Sequence, residues 1–280
     1  MFIVSYAFKG YCYRRIQKFM NNAWQSGTAY DRYMGRWSKL IAQKFLSWLA
    51  IPPACIWLDL GCGTGTITRL ILESYQPKKI YSIDSSSDFI RDAQESILNP
   101  AVHFKVGQAE SLELDSNSID VAVSGLVLNF VSKPEAAVSE MMRVTQPGGT
   151  IGIFLWDYMQ GMQMLRYFWD AAIGLDPEAK KLDEGTRFLL CQEGKLESLV
   201  KKVGLKQVEA TFIEVKTVFQ NFDDYWQPFL GNVGHGSVYT MSLSQKDRKK
   251  LEEKLRRSLP IDGDGSISLM AKAWAVKATT

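Results

Sequence analysis

Cysteine and histidine are scarce in this chain, and so are long apolar runs and any excess of one charge. The four cysteines, Cys12, Cys55, Cys62 and Cys191, lie far apart with no Cys-x-x-Cys pair. That spacing excludes a zinc ribbon and a disulfide framework, leaves no metal site to expect, and fits a reducing, cytoplasmic setting. No uncharged apolar run approaches the roughly 20 residues of a spanning helix, so stable membrane insertion is not expected. The segment Met1 to Phe8 is apolar, but Lys9 follows at once and Arg14-Arg15 comes after the apolar stretch. That order is wrong for a signal peptide. Residues 1–28 read as an N-terminal extension, frayed or preceding the true start, with a weak membrane-surface or partner contact as the alternative. With 33 basic and 30 acidic side chains the net charge is +3, which gives no footprint for nucleic acid.

What is present is a globular composition, 46% hydrophobic and 22% charged over 280 residues. From Cys55 short apolar runs alternate with amphipathic segments, the pattern of βαβ units and a parallel sheet. Strands are expected at Cys55 to Leu60, Lys79 to Asp84, Val102 to Val106, Asp120 to Ser124 and Thr150 to Trp156. Helices are expected at Thr66 to Ser74, Asp88 to Leu98 and Pro134 to Val144, where Pro134 suits a first helical turn. Gln146-Pro147-Gly148-Gly149 is expected to break the chain before the fifth strand. After Trp156 the texture changes to a strandless stretch rich in Met and aromatics, with a helix from Met162 to Ile173. Alternation returns at Val208 to Phe219 and Ile267 to Val276, two further strands expected to pair antiparallel. Between them lie an aromatic segment Phe222 to Leu230, a glycine loop Gly231 to Gly236 and a charged helix Gln245 to Arg257, whose mixed charges read as a solvated face.

The informative motif is Trp57-Leu58-Asp59-Leu60-Gly61-Cys62-Gly63-Thr64-Gly65, a strand running into a glycine turn and then a helix. Glycines let the backbone approach a ligand, and the helix start offers free amides. Asp59, two residues before the first glycine, would repel a pyrophosphate and welcome an ammonium or sulfonium cation. Asp84, about 20 residues after the turn, has the spacing at which a carboxylate reaches ribose hydroxyls. The pattern points to a nucleoside with a cationic appendage and no phosphates.

These residues, with the Pro147-Gly148-Gly149 turn, resemble a class I S-adenosylmethionine-dependent methyltransferase, of the small-molecule type seen in ubiquinone and menaquinone C-methylation. The resemblance covers residues 29–156 well. Tyr30 to Ser38, the Trp156-Asp157-Tyr158 strand end and Ala271 to Val276 are similar to a bacterial subgroup of it. It implies a Rossmann-like α/β fold: a seven-stranded doubly wound sheet with N-terminal helices and an inserted helical cap. The expected divisions are a cofactor-binding core at 29–156, a helical substrate cap at 157–205, and C-terminal core strands with a second helical insertion at 206–280. The resemblance further implies S-adenosyl-L-methionine as cofactor and S-adenosyl-L-homocysteine as product. Asp59, Gly61 and Gly63 would hold the amino acid end and Asp84 with Ser85 the ribose. Gln108, Ala109 and Glu110 stand at the adenine-binding position, where Gln108 replaces the usual Asp. Leu126 would lie against the cofactor; Tyr33, Arg36 and Trp37 would close over it, Arg36 reaching the methionine carboxylate.

In-line methyl transfer needs alignment and desolvation more than a fixed catalytic residue, but a hydroxyl or acidic carbon acceptor benefits from a base. Candidates are Asp157 and Tyr158, then His235 and Tyr225; Asp183, Glu184 and Arg187 form either a polar lid cluster or a surface ion pair. Ser124 to Phe130 lacks the Asn/Asp-Pro-Pro-Tyr type of motif of amide and adenine methylation. A small acceptor is therefore expected, with a hydrophobic or aromatic body if Met162, Met164, Phe168, Trp169, Tyr225 and Trp226 face it. Competing readings are a non-catalytic cofactor-binding scaffold, a nicotinamide oxidoreductase, disfavoured by Asp59 and by Thr66 at the sixth motif position, and an aminopropyl transferase.

Overall fold

The computed structural model describes residues 35–231 and 234–280. Residues 1–28 and Tyr33 lie outside the described residues. Helix α1, Arg36–Leu49, places Trp37, Ile41, Phe45 and Leu49 at helical spacing, and all are buried. The core then alternates: β1 (Ile56–Leu60), α2 (Thr66–Tyr75), β2 (Lys79–Asp84), α3 (Ser87–Ser96), β3 (Val102–Val106), β4 (Ile119–Gly125), α4 (Pro134–Val144) and β5 (Thr145–Trp156). The segment expected to form a cap holds α5 (Gln163–Ile173), the short α6 (Glu184–Arg187) and α7 (Lys195–Val203). After β6 (Lys206–Phe219) come α8 (Phe222–Trp226), α9 (Gly234–Ser242), α10 (Gln245–Ser258) and β7 (Ile267–Thr279).

The seven strands form one sheet in the order β3-β2-β1-β4-β5-β7-β6. Pairs among β1 to β5 are parallel; β7 runs antiparallel to β6, as expected from the sequence, and also to β5. The order reverses between β1 and β4. Right-handed crossovers therefore put α2 and α4 on opposite faces and open a crevice at the carboxyl ends of β1 and β4. Along β7, Ala271, Ala273 and Ala275 are buried while Lys272 and Trp274 face the other way, half-buried.

Two expectations change. The break at Gln146 to Gly149 is an outward bulge within β5: Ile119 pairs with Thr145 but Val121 with Thr150. The glycine stretch at 231–236 is not wholly a loop, since Gly234 opens α9. There Gly236 packs so closely that a methyl group would come within 3.0 Å of Phe229.

The helices that follow β5 and β6 add an aromatic cluster to the one continuous core. Phe168 stacks on Phe229 at 4.2 Å and meets Trp169 edge-on at 4.9 Å, and Trp169 contacts Tyr239 at 5.8 Å. Met162, Met164, Phe168, Trp169, Tyr225 and Trp226 are all buried in this packing. None lines the cavity described below, so the expectation of a hydrophobic acceptor loses those six residues as its support.

Candidate functional site

A cavity of about 620 Å³ opens at the switch point, within the usual range for small-molecule sites. Its floor is Gly61 to Thr64 after β1, Asp84 to Ser86 after β2, and Gly125 to Val127 after β4. Ser38 and Ala42 of α1 close one side; Asn129, Phe130, Arg187, Phe188 and His235 come from the β4 loop and the cap.

The glycine turn is held from β2. Gly61 and Cys62 amides donate to the Ile83 carbonyl, and the Gly63 amide donates to Asp84 Oδ2 at 2.9 Å. Asp84 Oδ1 accepts the Ser86 amide at 2.9 Å. Gly61 has φ +76°, and a methyl group on it would sit 2.2 Å from Val127. Gly63, at φ +54°, has no atom within 4 Å of where its side chain would start, so its backbone is open to a ligand. Leu126 adopts φ 62° without being glycine and donates its amide to Phe154, a strained conformation of the sort held at ligand sites.

Asp59 lies beneath the turn, fully buried, and does not line the cavity. Its Oδ2 accepts from Thr68 Oγ1 at 2.7 Å, and Thr68 contacts Ser82 Oγ at 2.8 Å. Oδ1 has no hydrogen-bond partner among the described residues. Burial pushes the Asp59 carboxyl up to about 7, against the Thr68 hydrogen bonds. Burial also raises Asp84, opposed by the backbone amides it accepts. Cys62 lines the cavity, but burial pushes its thiol well above the ordinary value, so it is no nucleophile.

Of the residues singled out from sequence, Gly61, Gly63, Asp84, Ser85, Leu126, Arg187 and His235 line the cavity. Arg36 does not: it bonds Asp224 on α8 at 3.2 Å and lies over the Trp37 and Phe219 rings. Trp37 is buried edge-on against Phe219, away from the cavity. Gln108 is exposed and bridges to Ser111, while Glu110 accepts from Ser132, and neither they nor Ala109 reach the cavity.

Asp157 is also elsewhere. It is buried, its Oδ2 pairs with Lys272 Nζ at 2.9 Å, and its Oδ1 accepts the amides of Met159 and Gln160. Those bonds fix the turn out of β5 and tie it to β7. Tyr158 is buried against Phe188, behind the cavity wall. Tyr225 donates to the Met164 carbonyl at 2.8 Å inside the cap.

The group that sequence reading undervalued is Glu184. It is buried, accepts from Trp169 Nε1 at 2.5 Å on Oε2, and faces His235 Nδ1 at 3.2 Å through Oε1. Burial alone would raise its carboxyl, but the His235 and Trp169 contacts hold it below the ordinary value. Its neighbour Asp183 instead pairs with Arg166 and caps α6 through the Gly185 amide.

Residues 58–153 match the family described as Methyltransferase domain. The chain is 31% identical to a malonyl-[acyl-carrier protein] O-methyltransferase of Marinomonas sp. over 49% of this chain and 50% of that one. It is 25% identical to the ubiquinone/menaquinone biosynthesis C-methyltransferase UbiE of Cupriavidus metallidurans, over 54% and 68% respectively. Several curated relatives are matched over only about a quarter to a half of their own length. Among solved structures, Haemonchus contortus phosphoethanolamine N-methyltransferase 2, in complex with phosphomonomethylethanolamine and S-adenosylhomocysteine, superposes with TM-score 0.58 at 16% identity. That match covers 95% of this chain and 60% of that one, and the likeness is one of fold. Among the described residues no helix is long and apolar enough to cross a membrane, and no His, Cys, Asp and Glu group has metal-site geometry.

Proposed function

We propose that the chain is an S-adenosylmethionine-dependent methyltransferase that modifies a small acceptor in the switch-point cavity. The observation that carries this reading is the pair of carboxyl groups at the glycine turn, Asp84 half-buried and Asp59 fully buried. Asp84 lines the cavity and grips Gly63, while Asp59 lies below with one oxygen unpartnered. Two carboxyl groups at one turn disfavour phosphate and favour a cation, whose charge would also favour the ionised form of Asp59. The open backbone at Gly63 suits close approach by the cofactor's amino acid end, and Asp84 with Ser85 stands where its ribose would be held. The relatives' names span O-, C- and N-methylation, so they support methyl transfer without selecting the accepting atom.

When bound, the cofactor supplies a methyl carbon on a sulfonium that leaves as a neutral thioether. The chain's task is to position the acceptor and exclude water. Phe89, Phe130, Phe154 and Phe188 give the cavity an apolar wall for that purpose.

Calorimetric titration with S-adenosylmethionine, S-adenosylhomocysteine and NAD tests the reading. Micromolar binding of the first two and none of NAD is expected. Binding of NAD alone overturns it, and binding without methyl transfer to any acceptor in a broad screen leaves the scaffold reading.

A further inference from the structure

Trp169, Glu184 and His235 form a chain of buried polar contacts that ends at the cavity. They come from three cap elements, α5, α6 and α9, and their residues are 0%, 1% and 4% exposed. The aromatic packing around Phe168 and Tyr239 holds Trp169, whose indole N–H can only donate. That N–H occupies Glu184 Oε2, leaving Oε1 for His235 Nδ1 at 3.2 Å. Glu184 stays ionised despite its burial. A carboxylate there can only accept, so Nδ1 is the donor of the pair, and in the neutral ring Nε2 is the nitrogen with the lone pair. His235 itself lines the cavity, and its ring meets Phe188 at 5.8 Å, which in turn meets Phe130 edge-on at 5.2 Å. Asn129, beside Phe130 in sequence and also lining the cavity, has Nδ2 buried with no hydrogen-bond partner among the described residues.

We infer that His235 is a general base for an acceptor hydroxyl on an aromatic body, with Glu184 as the positioning residue that sets its tautomer. The inference rests on the methyltransferase reading and narrows its acceptor class. An acceptor that is already anionic, such as a carboxylate, has no use for a base; a phenol-type or enol-type hydroxyl does. In the step, the acceptor O–H bond breaks and its proton bonds to Nε2. The electron pair stays on oxygen as the nucleophile for the methyl carbon, and the imidazolium formed is balanced by Glu184. Asn129 Nδ2 supplies a donor for the acceptor oxygen, and Phe130 and Phe188 supply faces for its ring.

Nitrogen-15 NMR of the imidazoles is the direct test, because the chain holds only two histidines and His103 is an exposed edge-strand residue that serves as reference. In the full chain, at a pH where the ring is neutral, His235 should show a protonated Nδ1 and an unprotonated Nε2. Glu184→Gln should invert this. The Trp169 N–H claims the new carbonyl oxygen, so the amide NH2 faces Nδ1 and forces the proton to Nε2. Releasing that constraint in the Trp169→Phe, Glu184→Gln double variant should restore the original tautomer. An Nε2–H tautomer in the unaltered protein, or no inversion in folded Glu184→Gln, overturns the assignment; if that variant does not fold, the unaltered protein's tautomer decides.

A second measurement addresses the acceptor class. 4-Nitrophenol added to the S-adenosylhomocysteine-loaded protein should show a larger coloured phenolate fraction than with His235→Phe. No spectral change, through lack of binding or of ionisation, overturns the aromatic-hydroxyl class. The tautomer is read without cofactor, so its failure is distinguishable from a failure to bind S-adenosylhomocysteine.

Discussion

Asp84 and Gly63 are joined by a hydrogen bond of 2.9 Å, from the glycine amide at the apex of the turn to the carboxylate at the end of β2. The other oxygen of the same carboxylate holds the Ser86 amide, so one side chain sets the spacing of two chain segments on the cavity floor. Asp84→Asn can satisfy only one of these donors through its oxygen and turns an N–H2 toward the other. A buried donor left unpaired costs about 1–3 kcal/mol. Affinity for S-adenosylhomocysteine should fall more than about tenfold by calorimetry, with a lower thermal midpoint; unchanged affinity would remove Asp84 from the site.

Asp59 makes a prediction about pH. Its carboxyl is pushed up to about 7 by burial, whereas in the unfolded chain it ionises near the ordinary value of about 3.9. Between those values the folded protein holds a proton that the unfolded chain has lost. Its contribution to stability therefore falls as pH rises from about 4 to about 7 and is level above that, with a slope of at most about 1.4 kcal/mol per unit. Asp84, also raised, adds a slope of the same sign. Denaturant titrations across this range should show a shallower decline for Asp59→Asn than for the unaltered protein. A cationic ligand favours the ionised carboxyl, so S-adenosylmethionine should bind more tightly above this window than within it, and less so in the variant.

Local pattern carried the core of the fold. Strands β2 and β3 and helix α4 fall on the expected residues, Lys79–Asp84, Val102–Val106 and Pro134–Val144, because apolar runs and Pro134 mark them locally. The glycine turn was legible for the same reason, its conformational need being written in the residue type. The long-range contacts were not. Asp157 stands at a strand end, where a reactive group is plausible from sequence, but Lys272 on β7 decides its role. Glu184 sits in a charged stretch that reads either as a polar lid cluster or as a surface ion pair, and only the packing of α5, α6 and α9 buries it against His235. His235 lay in an apparent glycine loop, whereas Gly234 opens α9 and Gly236 is the small residue that lets Phe229 and Phe168 pack against that helix.

Asp157 should behave as a structural residue. Removing it leaves the half-buried Lys272 ammonium without its carboxylate and frees the Met159 and Gln160 amides. Breaking one side of a buried pair costs about 3–5 kcal/mol, and the partial exposure of Lys272 puts the expectation toward the low end. Asp157→Ala should lower the unfolding free energy in urea by about that amount. Affinity for S-adenosylhomocysteine should change less than about twofold. A large drop in turnover with stability intact would return Asp157 to the chemistry.

Arg36 tests the placement of α1. Its guanidinium lies 4.3 Å from the Trp37 ring centroid and 4.9 Å from that of Phe219, and it bonds both oxygens of Asp224. These contacts tie the first turn of α1 to β6 and α8, and none points into the cavity. A half-exposed ion pair is worth about 0–1 kcal/mol, and a cation over an aromatic face about 0.5–1 kcal/mol at such sites. Arg36→Ala should therefore cost about 1–2 kcal/mol of stability, and raised salt should narrow the difference only in its ion-pair part. Ser38 and Ala42, two and six residues further along α1 and one turn apart on a face turned away from Arg36, are the residues that line the cavity. Enlarging Ala42 to Leu intrudes there directly, so it should weaken S-adenosylhomocysteine binding by more than Arg36→Ala does. If instead Arg36→Ala abolishes binding while the protein stays folded, the arginine reaches the ligand and α1 moves when the cofactor binds.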